Sequence, residues 1–168
     1  LSLHDDGLLN GGMSSGSRDA EGVPRRRQTL VENGTLSNML WSTRDAAQQV
    51  AEGRIEDASS TGSASSGGHQ SPPSTGCTEL FLTSSQPSMT MEQLLETMGD
   101  GYIVNSVMGA HTANPSSGDF SVTTSAILKV ENGEIIGALK QAGLSGNLAK
   151  SLKEEVILGD DVRRQGSY

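Results

Sequence analysis

Few residues in this chain are suited to chemistry: His4, His69, His111, Cys77, and the polar run from Gly109 to Phe120. A zincin-type peptidase needs two histidines about one helical turn apart, with a glutamate placed to activate the metal-bound water. The three histidines here are isolated, and no His-Glu pair accompanies any of them. The sequence therefore predicts no catalytic residue and no metal site of its own, unless the fold brings distant ligands together. His4-Asp5-Asp6 reads as a polar turn at the end of a strand, and His69 as a solvated side chain. Cys77 has no histidine base at a useful spacing and reads as a loop thiol. The run Gly109–Phe120 gathers turn formers with His111, Asn114 and Asp119 between two apolar segments. It is the candidate substrate- or partner-facing loop, although an ordinary strand connection has the same composition. No Gly-rich run leads from a strand into a helix through Lys-Ser/Thr, so no phosphate loop is predicted.

A single cysteine rules out an intrachain disulfide and a Cys-x-x-Cys metal knuckle, and it fits a reducing, cytoplasmic setting. The net charge of −8 argues against nucleic acid as a direct ligand, since phosphate binding needs clustered cations. The short basic run Arg25-Arg26-Arg27 reads as a solvated strand edge. No apolar stretch approaches the ~20 residues of a membrane span, and no signal-peptide pattern opens the chain. It begins at Leu1 without an initiator Met and stops in a polar run, which reads as a piece of a longer protein.

The positioning elements follow from pattern. The 168 residues are 33% hydrophobic and 3% aromatic, while 24 Ser, 21 Gly and 5 Pro collect between periodic apolar runs. This predicts a small-residue core with generous loops. Val-Glu-Asn-Gly occurs twice, at Val31–Gly34 and Val130–Gly133. Asn-Gly between apolar runs predicts a hairpin on a type I′ turn. Further strands are predicted near Leu1–Asp6, Glu79–Leu82, Tyr102–Met108 and Phe120–Val130, with a return over Glu134–Leu139. Leu30, Leu36 and Leu40 are predicted core residues of the first hairpin. Ser42 is the expected N-cap of a helix through Glu52, and Thr90 with Gln93 forms a capping box for a helix to Met98. Asn147 should cap a helix from Leu148 to about Leu158. Residues 57–78 contain no Val, Ile, Leu, Met or aromatic side chain, which predicts a long flexible loop. Together these give a β-rich α+β single domain over 1–168, with antiparallel hairpins and a few short helices.

In this order the pieces resemble the C-terminal part of the TldD/PmbA family, the "modulator of DNA gyrase" metalloproteases. Asp5-Asp6, Gly11-Gly12 and Asp19-Ala20-Glu21-Gly22-Val23-Pro24-Arg25-Arg26 resemble its Asp-Asp…Gly-Gly…Asp-x-Glu-Gly-x-Pro-x-Arg run. Ser60-Thr61-Gly62-Ser63-Ala64 is similar to its Ser-Thr-Gly-Asn-Ala loop, with Ser63 in place of Asn and Glu79 in place of a later Asn. Met108-Gly109, Asn114-Pro115 and Gly118-Asp119-Phe120-Ser121 resemble its Gly…Asn-Pro…Gly-Asp-Tyr/Phe-Ser run, and Gly146-Asn147-Leu148 completes the set.

The resemblance implies a cytoplasmic heterodimer in which a TldD-type catalytic subunit holds zinc through His-Glu-x-x-x-His. This chain looks more like the PmbA/TldE-type subunit. It is expected to lack its own cofactor, to help enclose a channel for peptide substrates, and to contact neither nucleic acid nor membrane. Two alternatives stay open: a metallopeptidase whose ligands lie upstream of Leu1, and a non-proteolytic protein that modulates a toxin or gyrase.

Overall fold

The computed structural model describes residues 1–154 and 156–162. They fall into two compact units, the first running from Leu1 to Ser85 and the second starting at Gln86. In the first unit, β1 (Ser2–Asp6) lies between β2 (Arg27–Glu32) and β6 (Leu80–Thr83), and β3 (Thr35–Leu36) extends the sheet beyond β2. Helix α1 (Thr43–Ala51) follows, and β4 (Ala64–Ser65) pairs with β5 (Ser74–Thr75). In the second unit, α2 (Met91–Met98) precedes β7 (Gly101–Met108). β8 (Asp119–Glu131) is the spine of a sheet completed by β9 (Glu134–Leu139) and β10 (Ala142–Asn147), and α3 (Leu148–Ser151) is a single turn. Every pair of these strands is antiparallel, as the hairpin pattern predicts. The fold is a β-rich α+β domain.

Both Asn-Gly turns form as expected. Asn33 and Gly34 have φ of 49° and 82°, Asn132 and Gly133 have 51° and 78°, and both pairs join antiparallel neighbours. Only residues that tolerate positive φ can fill these positions, and Asn-Gly does so at least cost. Ser42 Oγ accepts the Asp45 N–H at 3.0 Å, and the Thr90–Gln93 capping box closes in both directions. In the second unit β8 buries the side chains of Val122, Ile127 and Val130, together with Thr124. Full burial of such aliphatic side chains stabilises by about 1.5–3 kcal/mol each. The first unit buries only Ala46 and Ala64 among apolar residues, beside Asp5, Asp19, Ser42 and Ser63. The predicted small-residue core is real there, and it is also polar.

Two expectations need correction, and one strand was not foreseen. Leu36 is 61% exposed rather than part of the core, because two-residue β3 sits at the sheet edge, where Leu36 pairs with Val31 and Thr35 with Glu32. The helix expected over Leu148–Leu158 stops after Ser151. Leu148 and Leu152 stay 55% and 44% exposed, so no packed face rewards helix propagation. Glu155 lies outside the described residues, and Val156–Leu158 are not helical. Strand β10 was not legible, since Ala-Gly-Leu-Ser-Gly-Asn lacks β-branched and aromatic residues. It is imposed by its ladder to Asp119–Thr124 of β8.

Candidate functional site

The loop after β7 is built by its own polar side chains. Gly109 has a φ of 88° and opens a 3-10 turn over Ala110–Thr112, where Thr112 Oγ1 donates to the Gly109 carbonyl at 2.7 Å. Asn114 Oδ1 accepts the N–H groups of Ser116 and Ser117 at 2.9 and 3.2 Å. The Asn114 N–H donates to the Asp119 carbonyl, and its own carbonyl accepts the Gly118 N–H. An Asn side chain bonded two residues ahead in this way mimics a backbone turn and fixes the loop shape.

Asp119 is equally engaged. Oδ1 accepts from Asn147 Nδ2 at 2.7 Å, and Oδ2 accepts from Ser117 Oγ at 2.7 Å. These two bonds, Asn147 first, hold its carboxyl below the ordinary value of 3.8 although it is exposed to solvent. Asn147 Nδ2 also donates to the Ser117 carbonyl at 2.8 Å, while its Oδ1 accepts the Lys150 N–H at 3.0 Å and caps α3. One side chain thus ties the loop to the turn after β10. In the sequence, the role that spacing assigns to Asn147 is that of a helix cap. Its place in the Gly146-Asn147-Leu148 motif was the available signal for this second role.

His111 differs from its two companions. It is exposed, and its ring makes no hydrogen bond to any described residue. Of the three predicted loop residues, Asn114 and Asp119 shape the loop, and His111 is the one left to meet something outside it.

The residues that carry the resemblance in the first unit form a second polar network, centred on Ser60–Ala64. Asp19 accepts the N–H groups of Glu21 and Val23 through Oδ1, both at 2.9 Å, and that of Ala64 through Oδ2 at 3.0 Å. Arg26 donates to the carbonyls of Ser60 and Thr61 at 2.7 and 3.1 Å, and Gln28 Nε2 to the Thr61 carbonyl at 3.0 Å. Thr61 Oγ1 accepts the Trp41 N–H at 2.7 Å. Gly62, at φ 73°, lies so close to Pro24 that a Cβ would collide with the Pro24 carbonyl oxygen. Asp5 Oδ1 accepts both the Thr78 and Glu79 N–H groups, at 2.7 and 2.8 Å. Residues 57–78 are thus gripped at several points by backbone and small polar side chains, a kind of burial that counting apolar residues does not register.

The arginine run is correspondingly more than a solvated edge. Arg25 donates to Thr78 Oγ1 at 2.6 Å, Arg26 grips the loop above, and Arg27 lies over the Phe81 ring at 5.2 Å. His4 stacks on that ring at 5.1 Å, and its two ring nitrogens lie 3.1 and 2.9 Å from the hydroxyls of Thr29 and Thr83. His69 and Cys77 are exposed. Among the described residues, no group of three or more His, Cys, Asp or Glu side chains is placed to hold a metal ion. A zinc site of the kind the resemblance implies does not fit these donors.

These features define a β-rich scaffold whose polar side chains fasten loops onto antiparallel sheets. All 168 residues match the family described as the PmbA/TldA metallopeptidase C-terminal domain, and the chain belongs to that family. An uncharacterised protein of Methanocaldococcus jannaschii is 32% identical over 98% of this chain and 36% of its own length. Metalloprotease PmbA of Escherichia coli O157:H7 is 28% identical over 99% of this chain and 32% of its own. Among solved structures, TldE from Thermococcus kodakarensis aligns with a TM-score of 0.73 and 26% identity, over 89% of this chain and 31% of that one. A candidate modulator of a DNA gyrase from Thermotoga maritima gives a TM-score of 0.80 and 31% identity, over 98% of this chain and 35% of that one. The chain spans about a third of the length of the curated relatives it matches.

Proposed function

We propose that this chain is the C-terminal part, 1–168, of a PmbA/TldE-type subunit that holds peptides or unfolded polypeptides for a TldD-type zinc-bearing partner. The protein is a non-catalytic, substrate-channel or regulatory member of a cytoplasmic heterodimer, and the metal belongs to the partner. One observation carries the reading: β7 is an eight-residue edge strand that runs directly into the loop bearing His111. It pairs with β8 on one side, and Tyr102, Val104, Val107 and Met108 along it are 38–57% exposed. An edge of this kind accepts an extended peptide through main-chain hydrogen bonds, which tolerate many sequences. The likeness to TldE supports the choice of subunit type. A chain charge of −8 makes a nucleic-acid ligand a poor match.

A second reading is favoured by the names of the relatives, several of which are called metalloproteases: the parent protein is a peptidase whose ligands lie outside this segment. Peptide hydrolysis by the full-length protein, alone and mixed with a TldD-type subunit, with and without chelator, separates the two. Chelator-sensitive cleavage in the mixture alone is the expected result. Cleavage by this protein alone would replace the first reading with the second. No cleavage in any combination would turn attention to a non-proteolytic, toxin- or gyrase-modulating role.

A further inference from the structure

The duplicated Asn-Gly turns have a chemical liability that the proposed function does not use. In an Asn-Gly pair, the glycine nitrogen can attack the asparagine side-chain carbon Cγ. A new N–C bond closes a five-membered succinimide as ammonia leaves. Water then opens either ring carbonyl, giving Asp or isoaspartate. The net change consumes one water and releases one ammonia. The attack requires the glycine N–H to give up its proton, which departs with the ammonia, so an N–H held in a hydrogen bond attacks less readily, and glycine offers no side chain to obstruct it.

Both asparagines and Gly34 are exposed and Gly133 is half-buried, yet both attacking nitrogens are engaged. The Gly133 N–H donates to the Gly99 carbonyl at 2.8 Å, and the Asn132 N–H donates to Asp100 Oδ1 at 2.8 Å. The turn sits on the end of α2, and a Cβ at Gly133 would lie 3.4 Å from the Leu95 carbonyl oxygen. In the first hairpin the Gly34 N–H donates to the Leu1 carbonyl at 2.9 Å, and the Asn33 N–H to Ser2 Oγ at 3.0 Å. Each turn is therefore held by a pair of bonds from a segment outside its own hairpin.

We propose that Asn33 and Asn132 are latent deamidation sites, latched shut in the folded protein, and that Asp100 is the latch residue for Asn132. Modification then proceeds through local opening, at the open fraction of each turn. The isoaspartyl product inserts an extra backbone carbon between residues 132 and 133, so it breaks the register joining β8 to β9 next to the pairs Glu131–Glu134 and Val130–Ile135.

The test ages the full-length protein at mildly alkaline pH and quantifies Asp and isoaspartate at each site by peptide mapping. The same measurement in urea gives the unlatched rate. In the wild type, both sites should react about tenfold or more slowly when folded than in urea. Asp100→Ala should raise the rate at Asn132 about two- to tenfold relative to Asn33 in the same molecules, the weight of one hydrogen bond. Asp100→Asn, which retains an acceptor oxygen, should restore the wild-type ratio. Asn33 serves as the internal control, because general destabilisation speeds both sites together. Equal rates at Asn132 in folded and urea-treated wild type would overturn the proposal. So would an Asn132-to-Asn33 ratio unchanged in Asp100→Ala.

Discussion

Asp5 and Asp19 are both buried carboxylates that accept backbone N–H groups, and they differ in which oxygens they use. Asp5 takes both of its bonds on Oδ1, whereas Asp19 takes two on Oδ1 and one on Oδ2. An asparagine keeps one acceptor oxygen and turns the other position into a donor. Asp5→Asn can therefore satisfy both of its partners, while Asp19→Asn must turn an N–H₂ toward the Ala64 N–H or toward those of Glu21 and Val23. Asp19→Ala leaves three backbone donors without their acceptor and should cost about 2–4 kcal/mol in urea unfolding. Asp19→Asn should lie close to that value, and Asp5→Asn well below Asp5→Ala. Equal losses for the two asparagine variants would show that the charge, not the oxygen count, is what these sites need.

Asp45 supplies a pH test at the same scale. Its carboxyl is held below the ordinary 3.8, chiefly by the Thr75 hydroxyl, then by Ser42, with the Thr75 backbone N–H adding to them. Because the folded value is lowered, these bonds contribute fully above 3.8, and the contribution is lost as pH falls through the folded value. Thr75→Val should therefore flatten the acid limb of stability in that window and lower the melting temperature at neutral pH. An acid limb identical to wild type would mean that the Thr75 bond does not set the carboxyl's affinity for protons.

At the scale of elements, two glycines with similar φ should respond differently to alanine. Gly34, at φ 82°, has open space around its missing Cβ, so Gly34→Ala carries only the cost of the left-handed conformation, about 1–2 kcal/mol. Gly62, at φ 73°, adds a collision with the Pro24 carbonyl oxygen and close approach to Arg25 Cα at 3.1 Å. Gly62→Ala should therefore cost about 2–5 kcal/mol, by guanidinium unfolding, as the loop segment Ser60–Ala64 is pushed off its partners. The contrast also marks what sequence could and could not say. Asn33-Gly34, Asn132-Gly133, Ser42 and Thr90 were legible because their physics is local: a turn or a cap is decided within four residues. The grip on Ser60–Ala64 was not, since Asp19 reaches Ala64 and Arg26 reaches Ser60 only after the chain has folded. Leu148, Leu152 and Val156 misled for the complementary reason, having the spacing of a helix face and nothing to pack it against. In the loop, Asn114 and Asp119 were found by type, but their role as turn builders depends on Asn147, 28 residues beyond Asp119.

For the whole molecule, the question is whether the loop after β7 meets a peptide or only joins two strands. The geometry separates these uses by residue. His111 makes no hydrogen bond to any described residue, so its loss should leave folding untouched. Asn147 ties Ser117, Asp119 and Lys150 together, so its loss should loosen the loop. In the full-length protein assayed with a TldD-type subunit, His111→Ala should raise KM for peptide about two- to tenfold, the weight of one polar contact, with kcat and melting temperature unchanged. Asn147→Ala should raise KM and also lower the melting temperature, because the surface that presents His111 is no longer fixed. Asp119→Ala should resemble Asn147→Ala more than His111→Ala, since Asp119 receives the Asn147 and Ser117 bonds. If His111→Ala leaves KM where it was while Asn147→Ala shifts only the melting temperature, the loop is a strand connection and the peptide must be held elsewhere. If all three raise KM in step with lost stability, the loop serves the partner interface rather than the substrate, and the affinity of the two subunits becomes the quantity to measure.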